Sequence, residues 1–234
     1  MRTQGRSPTL FTFGGTPIKT SPLVLANIVG LWGGLTWLAG RRHPERSWPI
    51  RLLIGALSTI TLFVADIGHA MAHTVSARHA GAPMDEILIS EGMPRTVYMD
   101  DDVSPQAHRT RALGGPIYSA VGLLISLLLR LLIPRGSVAR EVVEWSCIGH
   151  GLILGGSLAP LPIVDGGSIL KWTLVEQGKT PEEADAVVKQ ANMGLGVAAT
   201  TASVGLAAKR RWLPALGLLA VGAAALAAAL GKLR

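Results

Sequence analysis

Residues 49–73, PIRLLIGALSTITLFVADIGHAMAH, decide the fold of this chain. The run stays apolar over a length that crosses a bilayer as a helix, which takes roughly 20 residues, and it ends in two histidines. Comparable runs lie at 22–39, 112–133, 142–159, 191–208 and 213–230, with 191–208 diluted by threonines and glycines. Of the 234 residues, 49% are hydrophobic and 16% charged, against about 25% charged in a soluble domain. Mean hydropathy is +0.40. An ordinary soluble domain is excluded. The pattern predicts an α-helical multi-pass membrane protein, a single domain over residues 1–234, with about six transmembrane helices and a small membrane-associated β element.

The net charge of +7 raises the question of nucleic acid. The basic residues, however, sit mainly at span ends, as in Arg41-Arg42, Lys209-Arg210-Arg211 and Lys232 to Arg234. That placement suits anchoring to a lipid bilayer and not a nucleic-acid partner. Arg41, Arg42, Arg46 and Arg51 crowd the first short loop and favour a cytoplasmic position for it, while Arg2, Arg6 and Lys19 compete from the opposite side. The plasma membrane is the expected location. Cys147 is the sole cysteine, so no intrachain disulfide and no thiolate zinc cage can form. Any bound metal is therefore held by nitrogen and oxygen. About twenty polar and turn-forming residues precede the first span and no clean small-residue cleavage site follows it, which is not the pattern of a signal peptide.

Histidines at positions 69 and 73 lie four apart, on one face of a helix, so both imidazoles can reach one metal ion. Two buried core histidines give the same spacing, and a metal needs a third ligand. In the H-E-x-x-H arrangement the residue after the first histidine is a glutamate, the base for a water that the metal acidifies. Here that position is Ala70, which has no oxygen. Asp66, one turn before His69 on nearly the same face, is a candidate substitute base or a hydrogen-bond partner that orients His69. His150 is a further polar residue within an apolar span.

Elsewhere, LFTFGGTPIK (10–19) alternates apolar residues around Gly14-Gly15 and reads as a hairpin leading into the first span. MDEILISEGMPRTVYM (84–99) reads as a second hairpin with a longer turn, either capping the helix ends or offering an edge to an extended peptide. Asp100-Asp101-Asp102 reads as a solvated acidic run. Leu113-Gly114-Gly115-Pro116 begins the third span with small residues that permit close helix contact. After the fourth span, SLAPLPIVDGG (157–167) is broken by prolines. Irregular backbone at membrane depth is tolerated only against protein or a cavity, which makes Asp165 either a helix cap or a third metal ligand. Thr180-Pro181-Glu182-Glu183 has the form of a capping box at a helix start.

In this order the landmarks resemble the site-2 protease family of intramembrane zinc metalloproteases over nearly the whole chain. FGGTPIK resembles the family's opening, HAMAHTVSARHAGAP its H-E-x-x-H helix and the continuation to Gly-x-Pro, RALGGPIYS its Ala-Gly-Pro span, and LAPLPIVDGGSIL its N-x-x-P-x-x-x-x-D-G motif. A second register, with Ala65-Asp66-Ile67-Gly68-His69 as the motif, requires a four-residue insertion before Gly81 and loses the first ligand. In the preferred register the resemblance implies zinc held by His69, His73 and Asp165. Transmembrane or membrane-associated protein segments are then the expected partners. The departures are Ala70 for the catalytic glutamate and Ser157 for the motif asparagine. Both fall on chemistry, so the expectation is a protease-like protein that binds membrane segments with absent or weak peptidase activity. The alternatives are an active protease with a substitute base and a metal-ion transporter, the latter disfavoured by the lack of repeated halves.

Overall fold

A computed structural model describes residues 7–89, 94–100 and 102–232. In chain order the elements are β1 (Thr9–Phe13), β2 (Thr16–Thr20), α1 (Leu23–Arg42), α2 (Trp48–His79), β3 (Glu86–Ile89), β4 (Arg95–Val97), α3 (Pro105–Leu132), α4 (Val138–Ser157), α5 (Asp165–Glu176), α6 (Pro181–Ala208) and α7 (Trp212–Ala229). Five of the described helices, α1, α2, α3, α6 and α7, are long and apolar enough to cross a membrane. With large apolar side chains such as Leu25, Val64, Leu132 and Leu213 facing outward, they define an integral membrane protein, because such a surface is stable only against lipid. The fourth expected span is a helix, α4, but Arg140, Glu141 and Glu144 occupy its first two turns and it is not among the five.

The chain divides into two compact units, one of residues 1–103 and 113–155, the other of residues 104–112 and 156–234. In the first unit a four-stranded sheet has the order β1-β2-β3-β4. The two expected hairpins are its antiparallel pairs, β1 with β2 and β3 with β4, and a parallel pairing of β2 with β3 joins them. Gly14 and Gly15 both have positive φ (52° and 78°), the conformation a two-residue hairpin turn requires. The Arg78 guanidinium at the end of α2 donates to the Gly14 carbonyl and ties this turn to the histidine-bearing helix. Ile18, Ile87 and Ile89 from the sheet pack with Ala70 and Ala77 of α2 and with Met84 in one buried apolar cluster. The turn between β3 and β4, 90–93, lies outside the described residues, as does Asp101 of the acidic run. Asp100 there accepts from the Asp102 backbone N–H, a local turn.

Helices α1 and α2 pack backbone to backbone: a Cβ on Gly55 would come within 2.9 Å of the Thr36 nitrogen. The third span begins earlier than its apolar run, at Pro105, so Pro116 lies inside α3 and not at its start. In the second unit α6 begins with the expected capping box, Thr180 accepting from the Glu183 N–H while Glu183 accepts from the Thr180 N–H. It runs without a break through the threonine-rich fifth span. Gly196 and Gly222 let α6 and α7 approach closely, a Cβ on Gly222 falling 2.5 Å from Thr200 Oγ1.

Candidate metal centre

Three features of the first unit build the site around α2. His73 is 4% exposed and His69 partly buried, one turn apart on the same face, and their Nε2 atoms lie 3.2 Å from each other. The ring planes are inclined at 77° with centroids 4.9 Å apart. Two nitrogen lone pairs aimed at each other at that distance repel unless a proton or a cation lies between them. Ligands about 2.0–2.1 Å from a tetrahedral zinc stand about 3.3–3.4 Å apart, so the separation fits both nitrogens on one ion.

The ring of His69 is oriented from α3, where Ser119 Oγ lies 2.9 Å from His69 Nδ1. Ser119 is itself fully buried. A bond from Nδ1–H to that hydroxyl leaves the Nε2 lone pair free to ligate, the arrangement that typically fixes metal-binding histidines. Asp66, the candidate for this orienting role in the sequence, is half-buried on the preceding turn. The bond to His69 Nδ1 is made by Ser119, which has no motif to mark it.

Gly114 and Gly115 are the third feature. A Cβ on Gly114 would sit 2.5 Å from the Ala72 carbonyl oxygen, and one on Gly115 would be 2.5 Å from His69 Cε1 and inside contact distance of both Nε2 atoms. The small residues expected to allow helix contact thus have a particular use: α3 leaves its narrowest place open over the two imidazoles. Two turns on, Gly122 receives the His150 ring of α4, which also lies 5.6 Å from the Tyr118 ring. His150 is 7% exposed and its Nδ1 has no hydrogen-bond partner among the described residues.

Ala70 is 2% exposed and belongs to the apolar cluster against the sheet. The side chain of the residue after His69 is thus a methyl group packed among isoleucines and methionine.

In the second unit Ser157 ends α4 and Asp165 begins α5, at the two ends of the proline-broken loop 158–164. Val164 is the N-cap and Asp165 the first helical residue, so Asp165 is not the helix cap. The glycines that follow are required by packing. A Cβ on Gly166 or Gly167 would collide with the carbonyl groups of Leu158, Ala159 and Leu161, which fold back over the first turn of α5. Asn192 of α6, fully buried, donates from Nδ2 to the Pro160 carbonyl at 2.6 Å and to the Val188 carbonyl at 2.9 Å. It pins the loop that leads to Asp165, a role that no spacing in the sequence announces.

Helices crossing a membrane, a small sheet packed on the histidine helix, and a broken segment before an Asp-Gly pair together give the fold of an intramembrane site-2 protease. The solved structure that shows this is the Site-2 Protease from Methanocaldococcus jannaschii, which superposes with a TM-score of 0.55 over 97% of this chain and 95% of that chain at 17% identity. No family profile matches the chain, and no curated protein matches it in sequence. At this identity the likeness carries the fold, and the site rests on its own residues.

Proposed function

We propose that this protein is a zinc-binding, site-2-protease-like protein of the plasma membrane that holds transmembrane peptide segments with little or no peptide-bond cleavage. Zinc would be held by His69, His73 and Asp165, an all nitrogen and oxygen set in keeping with a single cysteine. What supports the metal is the convergence of two Nε2 atoms at 3.2 Å beneath a glycine. Bound zinc supplies Lewis-acid polarisation of a carbonyl oxygen. The chain's own contribution is to orient His69 through Ser119, to keep Gly115 open over the pair and to exclude water around Ala70 with the sheet.

The observation that carries the reading of weak catalysis is Ala70, buried in an apolar cluster where a proton acceptor would have to stand. Loss of a general base typically lowers turnover by about a hundredfold to ten-thousandfold. Peptide binding draws support from the sheet, whose edge strand β4 has no second strand partner among the described residues in the order β1-β2-β3-β4. An extended segment can add there through main-chain hydrogen bonds. The test is cleavage of a transmembrane test substrate in detergent or proteoliposomes, by the parent and by Ala70→Glu, with and without zinc. The parent is expected to cut little, and Ala70→Glu to gain zinc-dependent turnover of about a hundredfold. Robust zinc-dependent cleavage by the parent would overturn the proposal.

A further inference from the structure

At the opposite end of α2 from the histidines, the first unit contains a cavity of about 330 Å³ formed where α1 ends, α3 ends and α4 begins. Arg42, Arg46, Arg130, Arg135 and Arg140 line it, against Glu141 and Glu144, an excess of three positive charges. Some of that charge is structural. Arg46 pairs with the buried Glu141 and donates to the Gly136 carbonyl, fastening the α1–α2 loop to the α3–α4 loop. Glu144 is within 3.1 Å of Arg140 but only 3.5 Å from Arg130. The Arg42 guanidinium stacks over Trp145 at 5.2 Å, and Arg135 has no ion pair among the described residues. The two carboxylates neutralise two of the five arginine charges, so a net three remain in the cavity, with Arg130 and Arg140 sharing Glu144. Gly136 and Ser137, at the start of α4, add the positive end of a helix to the same cavity.

Its depth relative to the bilayer is marked independently. Trp37, near the end of α1, and Trp48, at the start of α2, are 62% and 60% exposed, and Arg41 lies over the Trp37 ring at 5.6 Å. Outward tryptophans beside arginines are the signature of the headgroup level. Leu131 and Leu132, next to Arg130 at the end of α3, are about four-fifths exposed. An arginine-lined cavity at headgroup height, beside exposed leucines, matches a molecule with an anionic phosphodiester head and acyl tails. We infer that this cavity binds the headgroup of an anionic phospholipid, tying the α1–α2 and α3–α4 loops to the membrane surface.

The test uses the full chain in a neutral detergent, titrated with phosphatidylglycerol, phosphatidylcholine or inorganic phosphate, with bound lipid read by native mass spectrometry. One phosphatidylglycerol per chain is expected to be retained and phosphatidylcholine to be lost. A surface arginine contributes about a fivefold effect on anionic-lipid affinity, so Arg130→Gln with Arg135→Gln is expected to weaken retention about 25-fold. Arg135→Gln alone, which breaks no ion pair seen in the structure, is expected to weaken it about fivefold. Lys209→Gln with Arg210→Gln, in the loop between α6 and α7, is expected to leave retention unchanged. Equal retention of phosphatidylcholine, inorganic phosphate binding as tightly as phosphatidylglycerol, or unchanged retention in the Arg135 variants would each overturn the assignment.

Discussion

Gly115→Ala adds one methyl group at the place where the two imidazoles meet. Its Cβ would stand 2.5 Å from His69 Cε1, whereas non-bonded carbons settle at about 3.5–4.0 Å. Relief requires a shift of roughly 1 Å, by ring rotation or by separation of α2 from α3. Separating α2 from α3 would forfeit the close backbone packing at Gly114, where a Cβ would fall 2.5 Å from the Ala72 carbonyl oxygen, so ring rotation is the less costly relief and the histidines take most of the movement. Changes in residues that merely orient metal ligands cost about 10–100-fold in affinity. Direct displacement of two ligands should lie at or beyond the upper end, about a hundredfold. The assay is competition for zinc against a chromophoric chelator in detergent, with Gly33→Ala as the control, since a Cβ there meets nothing within 4 Å. Overpacking is expected to cost about 1–3 kcal/mol in stability as well, which thermal unfolding of the metal-free forms reads separately. Zinc affinity of Gly115→Ala within threefold of the control would refute the assignment of Nε2 as the ligand atom on both histidines.

Ser119→Ala removes the hydrogen bond at His69 Nδ1 and is expected to weaken zinc binding about 10–100-fold with helix content unchanged; unchanged affinity would remove Ser119 from the site. Asp66→Asn distinguishes a base from a bystander. If Asp66 supplies the chemistry, any cleavage found in the parent should fall at least about a hundredfold, and unchanged turnover excludes that role. Asn192→Ala leaves the half-buried Pro160 carbonyl without its Asn192 donor, while the Val188 carbonyl keeps its helical one, and is expected to lower stability by about 1–3 kcal/mol, seen as earlier thermal unfolding and faster proteolysis in loop 158–164.

How far the sequence revealed this arrangement depends on the range of the forces involved. Local signals were readable: Gly14-Gly15 between alternating strands became the β1–β2 turn, Thr180 to Glu183 became a capping box, and the prolines after Ser157 became a break ended by Asp165. The fold, too, could be read from ordered motifs and apolar runs. Long-range choices could not. Nothing in β2 or β3 alone specifies their parallel pairing, and no periodicity shows that Ser119 and Gly115 of α3 face the imidazoles. The apolar run at 142–159 lies within helix α4 apart from its last two residues, and the charged residues of its first turns are accounted for by the pairs that Arg140 and Glu141 make in the first unit. Ala70 beside His69 was visible in the sequence, but its place in the apolar cluster emerges only from the packing of Ile18 and Met84.

The most direct measurement of the central claim is zinc K-edge X-ray absorption on the purified chain, with metal content of the same sample by mass spectrometry. One zinc per chain is expected, with two imidazole nitrogens at about 2.0–2.1 Å, oxygen in the remaining positions and no sulfur. His69→Ala, His73→Ala and Asp165→Ala should each lose the metal while keeping helix content. A folded chain purified in the presence of zinc that contains none, or whose zinc survives all three substitutions, would contradict the account.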